Sequence, residues 1–302
     1  MNLPIPSSSQ SDNDEVREMI EALPPGSSEY DATGLGAEDL EELLQRDSFT
    51  HPFEYIDSDG GQHLDRYVVF RNVSPDAMRD FSNLRHLGRI KDISLTYHLI
   101  ILNMISRDHA SAICYFEKLL GGKLDEMIPR LSLELQPCGG ADVQGTTRTK
   151  CPDSSYLPRS LPRATRSDKW PSLILEIGYA EAASKLRNDA SWWLTESRGD
   201  VRVVITMEIS GKQRVHLEMW QWQWRFRDDD GAARPHPVMT QEATVTKSSG
   251  NGYSASGPMV IRFQDLLLRP PAGNGEGDIV LNRDDLEGLV GLSLRDCCVR
   301  YL

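Results

Sequence analysis

Two acidic residues stand out by their position. Asp153 follows Pro152 at the edge of an extended segment, in Lys150-Cys151-Pro152-Asp153-Ser154-Ser155-Tyr156. Glu176 lies 23 residues later, near the end of the apolar run Ser172–Ile177. A nearly continuous apolar run is the signature of a strand covered on both faces. Two carboxylates on neighbouring strands can hold one Mg²⁺ or Mn²⁺ and leave positions open for water and phosphate. Such an arrangement suits hydrolysis of a phosphate ester, in which a cation neutralises charge developing on phosphate oxygens and water must be activated. Burial at the end of an apolar strand raises a carboxyl pKa unless a cation is near, which favours metal uptake. The same residues also have a purely structural reading, with Asp153 capping a turn after Pro152 and Glu176 paired with a nearby base.

Basic residues gather around Asp153. Arg148, Lys150, Arg159, Arg163, Arg166 and Lys169 face only Asp153 and Asp168 as acids between positions 148 and 169. Such a loop can hold a phosphate backbone, with binding that weakens steeply in salt, or can be a solvated loop. Trp220, Trp222 and Trp224 recur at period two, which suits either base stacking or the packed face of a strand. Trp192-Trp193 reads as helix packing with one ring inward. His109, three residues after a helix cap, either lines the site or caps the surface of its helix. No GxGxxG, GxxxxGK(S/T), GxSxG or HExxH occurs, so dinucleotide, P-loop, serine-hydrolase and zinc-protease readings have no motif behind them.

The elements that must position these residues follow from hydrophobic pattern and caps. Tyr67–Phe70 reads as a strand, and Ser74-Pro75 opens a helix to about Arg85. Ile93–Ile105 is rich in β-formers and suits a strand pair or one long strand. Ser106 caps a helix expected to end at Gly121-Gly122. Leu131–Leu135 alternates as a strand. Ala180–Leu194 reads as a helix, and Asp200–Ile209 as a strand. Val215–Phe226 begins a hairpin, and 228–257 reads as its long tip or a flexible insertion. Met259–Phe263 adds a strand, and Asn282 caps a final helix. This alternation predicts an α/β core around a mixed sheet.

The segments KCPDSSYLP, WPSLILEIGYAEAASKLRNDASWWLTESRGDVRVVITMEI and PMVIRFQDLLLRPPAGNGEGDIVLNRDDL resemble a group of uncharacterised fungal proteins of the PD-(D/E)XK superfamily. The resemblance covers roughly residues 90–290. It implies a restriction-endonuclease-like fold, a mixed central sheet flanked by helices. It further implies metal-dependent cleavage of phosphodiester bonds in DNA or RNA, with Mg²⁺ or Mn²⁺ on Asp153, Glu176 and the backbone carbonyl of Ile177. The superfamily carries a lysine two residues after the glutamate, and here that position is Gly178. Lys185, in the following helix, is the candidate replacement, and its other reading is a solvated helix-face lysine. Arg187 can contact phosphate, together with Arg148, Lys150, Arg159 and Arg163, but stays charged and is a poor proton acceptor. Asp189 adds either a further ligand or a partner for Arg187 or Lys185. The missing lysine keeps open an alternative, an inactive nuclease-fold module for protein interaction or nucleic-acid binding.

Bulk composition bounds the rest. The chain has 302 residues and a formal charge of −12. Residues 1–60 hold 15 acids against two bases, while the other 242 hold 30 against 31. The acidity belongs to a leader, and 1–48 is expected to be disordered, with transient helices at Asp14–Leu23 and Ala37–Leu44, ahead of one domain over 49–302. That acidity is expected to screen the basic excess around Asp153. No apolar window reaches a membrane span, and the N-terminal sequence lacks the features of a secretory signal. Five cysteines without a CxxC pair argue against a disulfide framework or zinc ribbon, so an intracellular setting, cytoplasm or nucleus, is expected.

Overall fold

The computed structural model describes residues 8–24, 27–50, 55–56, 62–63, 66–81, 89–104, 106–162, 166–179, 183–226, 233–249, 252–273 and 275–294. In chain order the first half holds α1 (Ser8–Glu21), β1 (Ser28–Asp31), α2 (Ala37–Thr50), β2 (Tyr55–Ile56), β3 (Gln62–His63), β4 (Arg66–Arg71), α3 (Pro75–Phe81), β5 (Arg89–Ser94), β6 (Leu99–Met104) and α4 (Arg107–Met127). There follow β7 (Leu135–Pro137), β8 (Val143–Gln144), β9 (Thr149–Lys150), β10 (Ser154–Pro158), β11 (Leu173–Tyr179) and α5 (Ala183–Glu196). The last third holds β12 (Val203–Ser210), β13 (Arg214–Phe226), β14 (Ala233–Lys247), β15 (Tyr253–Ala255), β16 (Met259–Ile261), α6 (Phe263–Leu267), β17 (Ile279–Leu281) and α7 (Arg283–Ser293). Among the described residues no helix is long and apolar enough to cross a membrane.

The strands form two main sheets, ordered β1-β4-β6-β5-β9-β8 and β15-β14-β13-β12-β11-β10-β7. The second is mixed. Its strands run antiparallel except β11 and β12, which are parallel and joined by the crossover helix α5. Alternation along β11 divides its residues between two cores. Leu173, Leu175 and Ile177 join the cluster built with Phe116 and Leu120 of α4, and Ile174 joins that of Trp193 and Leu194 of α5. The first sheet is also covered on both faces. Val68, Phe70, Ile100 and Leu102 pack with Leu40 and Leu44 of α2, while Tyr67, Val69, Leu99 and Ile101 meet Met19 and Ile20 of α1. The expected architecture, a mixed central sheet flanked by helices, is therefore what the chain forms.

Four local expectations are corrected. The segment 1–48 is not a disordered leader where it is described. β1 pairs in parallel with β4, and Leu40 and Leu44 of α2 are fully buried. Composition misses this because a few leucines suffice to seal a sheet face that other segments supply. Helix α4 runs through Gly121-Gly122 to Met127, since burying Leu124 beside Leu120 outweighs the ~1 kcal/mol each interior glycine costs. Leu131–Glu134 forms a 3₁₀ turn, and the strand begins only at Leu135. Finally, 228–257 is not a flexible insertion where described, because β14 pairs with β13 along almost its whole length. The tip at 227–232 lies outside the described residues. Trp220 and Trp222 pack beside the α5 core, as a strand face does.

Candidate active site

The site lies where the two sheets meet. β9 belongs to the first sheet and β10 to the second, so Cys151-Pro152-Asp153 carries the chain from one to the other. The Asp153 carboxylate is pinned against β11, because its Oδ2 accepts the Ile177 N–H at 2.7 Å. Glu176, on β11, faces α5, and its Oε1 accepts Trp193 Nε1 at 2.6 Å. Arg89 braces the turn itself. Its guanidinium donates to the carbonyls of Pro152 and Asp153 at 2.6 Å each and stands 3.3 Å from Asp153 Oδ1. Gly140 leaves room for it, since a Cβ there would come 2.2 Å from Arg89 Nη2.

A lysine absent from the sequence motif completes the centre. Lys91 Nζ donates to Asp153 Oδ1 at 2.8 Å and to Glu176 Oε2 at 2.5 Å, so both carboxylates converge on one cationic point. Lys91 reaches it through an irregularity in β5. Ile90 pairs with Leu102 and Asp92 with Ile101, leaving Lys91 as an extra residue. A regular strand would send Lys91 and Asp92 to opposite faces. The bulge re-aims them, and both side chains are buried. His109, at the start of α4, brings Nε2 to 3.3 Å from Asp153 Oδ1.

Charge is distributed unequally over this trio. Burial works against the Lys91 ammonium, but Asp153, Glu176 and Asp189 together outweigh it and hold its pKa above the ordinary lysine value. Burial also opposes ionisation of Asp153, yet Lys91, His109 and Arg89 hold it well below the usual carboxylate range. Glu176 goes the other way. Burial, reinforced by Asp153 and Asp189, pushes it up against the pull of Lys91. Trp193 Nε1 gives Glu176 a neutral donor, whereas Asp153 has three basic side chains around it.

A second cluster adjoins the first. Lys150 Nζ bridges Asp189 Oδ1 at 2.6 Å and Asp92 Oδ2 at 3.2 Å. Lys185 Nζ bonds Asp189 Oδ2 at 2.7 Å, and Arg148 Nη1 stands 3.4 Å from Asp92. The two clusters are interleaved in sequence. β5 gives Lys91 to the first and Asp92 to the second, while the β9–β10 passage gives Asp153 to the first and Lys150 to the second.

The residues proposed from sequence are thus redistributed. Asp153 and Glu176 come together, and the Ile177 N–H holds Asp153. Lys185 pairs with Asp189 in the second cluster instead of facing the Asp153–Glu176 pair, and burial lowers its pKa. Lys150 is no surface phosphate contact, being fully buried between Asp92 and Asp189. Arg148 is nearly buried, with its guanidinium 5.0 Å over the Trp192 ring. Arg159 bonds the Leu133 carbonyl and lies beyond the far end of β10 from Asp153. Arg187 pairs with Glu218 at 3.0 Å. Arg163 lies outside the described residues. Lys91, Arg89 and Asp92 had no sequence signal, because their role depends on a bulge and on a sheet contributed by distant segments. For His109, the site-lining reading is the one the structure takes. Among the described residues no group of three or more His, Cys, Asp and Glu side chains is arranged to hold a metal ion.

No family model matches the chain, and no curated protein matches it. Among solved structures it is similar to a protein from Anabaena variabilis designated a candidate nuclease belonging to DUF820. The TM-score is 0.35 and the identity 10%, over 63% of this chain and 87% of that one.

Proposed function

We propose that this chain is a metal-dependent nuclease of the restriction-endonuclease-like class, hydrolysing phosphodiester bonds in DNA or RNA. The observation that carries the reading is the convergence of Asp153 Oδ1 and Glu176 Oε2 on one point, 2.8 and 2.5 Å from the Lys91 ammonium. The donor set fits a hard divalent cation, since both groups offer carboxylate oxygens and already share a positive charge. Asp153 and Glu176, with the Ile177 carbonyl, would hold Mg²⁺ or Mn²⁺, which supplies charge neutralisation at phosphate and a more acidic water.

The chain's own groups have separate tasks. Arg89 and the Ile177 N–H fix the Asp153 carboxylate, and Trp193 Nε1 fixes that of Glu176. Lys91 takes the place of the lysine missing at Gly178. The carboxylates around it favour its ammonium form, in which it is a hydrogen-bond donor toward anionic oxygen. A reducing, intracellular setting suits a chain in which Cys114, Cys138 and Cys151 form no disulfide with one another.

A second reading, a non-catalytic module of the same fold, is favoured by burial, because Lys91, Asp153 and Glu176 are each no more than 1% exposed. One experiment separates the two. Purified protein is incubated with plasmid, single-stranded DNA and RNA in Mg²⁺ or Mn²⁺. The nuclease reading expects metal-dependent cutting that Asp153→Ala and Glu176→Ala abolish and Lys91→Ala slows with metal binding retained. Cutting that survives either carboxylate substitution overturns the assignment. Absence of both cutting and calorimetric metal binding establishes the module.

A further inference from the structure

The opening that borders this ionic network is a cleft of about 300 Å³ between α1 and α5. One wall is α5 and its neighbours, with Lys185, Asp189 and Trp192, backed by Asp92 and Arg148. The other is α1, with Glu15, Glu18, Met19 and Ala22. The charges on the two walls are opposed. Behind the α5 wall, the ion pairs among the described residues set three cations, Arg148, Lys150 and Lys185, against two acids, Asp92 and Asp189. The two glutamates of α1 reverse that sign. Arg148 is the group with capacity to spare. It is nine-tenths buried, its one ion-pair contact is with Asp92, and its Nε has no hydrogen-bond partner among the described residues.

Where its side chains are described, α1 is attached through few residues. Met19, Ile20 and the following Leu23 pack on Tyr67, Val69, Leu99 and Ile101, and the Glu15 carboxylate accepts the Tyr97 hydroxyl. Arg17, Glu18 and Glu21 of the same helix are exposed. Helix α1 takes no part in the first sheet's hydrogen-bond ladder, which β1 enters further along the chain. An acidic helix lying against a basic wall and held by a small apolar seam resembles a polyanion docked there.

We propose that the α1–α5 cleft is where the phosphate backbone of a nucleic acid enters, with Arg148 as its principal contact, and that the acidic face of α1 occupies this groove in competition with it. This rests on the nuclease-fold reading and gives the screening expected of the acidic segment a definite place. The groove leads to the face of α5 that carries Lys185 and Asp189, and Trp193 on the same helix holds Glu176.

The test measures binding apart from cleavage. The full chain and a Glu15→Lys/Glu18→Lys variant, which keeps the apolar seam, are titrated into a fluorescently labelled single-stranded oligonucleotide in EDTA at about 50 mM salt. Binding should tighten about tenfold or more in the variant, with a steeper loss in salt. Arg148→Gln added to that variant should remove the gain. An affinity within about twofold of the parent in the charge-reversed chain overturns the groove, as does a gain that survives Arg148→Gln. A separate assay in Mn²⁺ keeps the two readings apart. Tighter binding without cutting removes the nuclease and leaves the groove, whereas cutting without any change in binding removes the groove and leaves the nuclease.

Discussion

The two ionic clusters share a plan and differ in one respect. Each is a lysine bridging two carboxylates, and each draws on β5 and the β9–β10 passage. The Lys91 cluster relies on a single lysine and is closed over. The Lys150 cluster adds Lys185 and Arg148 and borders a cleft. The acids respond accordingly. Asp189, with three lysines acting on it, is held below the usual carboxylate range despite burial, while Glu176, sharing Lys91 with Asp153, is pushed up. In a low-dielectric interior the number of cations per carboxylate decides which acid stays ionised. In the Lys91 cluster Arg89 serves Asp153 alone, so Glu176 has only a share in Lys91 and is the acid short of positive charge. A cluster with three cations for two acids is poised to accept an anion.

The largest effect that would separate the clusters comes from removing each bridge. Lys91→Met leaves two fully buried carboxylates without their shared ammonium and is expected to cost about 3–5 kcal/mol. Lys150→Met leaves Lys185 and Arg148 in place, so about 1–3 kcal/mol is expected. Urea unfolding of both variants checks the order, and equal losses would erase the distinction drawn between the clusters.

Next in size is the brace. Gly140→Ala forces Arg89 off the Pro152 and Asp153 carbonyls, and about 1–3 kcal/mol of strain is expected, as in other overpacked sites. Where the nuclease reading holds, activity should fall more than stability, because Asp153 loses its orientation. Thermal melting beside a cleavage assay measures both.

The pH dependence sharpens the comparison further. Asp153 and Asp189 bind protons less tightly folded than unfolded, so their stabilisation is present above the ordinary carboxylate pKa of about 4 and is lost as pH falls through their lower folded values. Glu176 has the opposite sign. Its contribution is present below its unfolded value and is lost as pH rises through its raised folded value. Glu176→Gln should therefore make stability fall more steeply with acid in the window between Glu176's raised folded value and the ordinary carboxylate value of about 4, and Asp189→Asn should flatten the fall below that value. Urea midpoints across pH would show both changes. A flatter profile for Glu176→Gln would reverse the assignment of which acid is strained.

The smallest effect is expected outside both clusters. Arg187 is half-exposed in its pair with Glu218, so Arg187→Ala should change stability by no more than about 0.5–1 kcal/mol. It should also leave oligonucleotide affinity unaltered, since it does not line the cleft. A loss of affinity in the binding titration would extend the anion-binding face around α5.

How much of this was legible in the sequence depends on distance along the chain. The Asp153–Glu176 pair could be read because Glu176 lies on a strand and Asp153 just before its neighbour, at positions that an apolar run and a proline mark. The helices α4 and α5 and the strands β11 and β12 were legible for the same reason, each carrying its own apolar periodicity. The place of α2 was not, because its leucines have meaning only against β4 and β6. Lys91 was invisible for a sharper reason. A regular strand would part it from Asp92 onto opposite faces, and only the extra residue in β5 brings both to one side. Lys150 was misread because five basic neighbours made it look like part of a solvated loop, whereas Asp92, opposite it in the ladder, draws it inside.

The bulge in β5 also governs how this protein could change over time. Point substitutions act on one cluster at a time, removing Lys91 or Asp92 and sparing its neighbour. Deleting their neighbour Ile90 would restore an even pleat and return Lys91 to the opposite face. The centre holding Asp153 and the one holding Asp189 would then come apart in one step. A lineage can tune either centre separately by substitution, but loss of one codon at this strand would cost it the partnership between them.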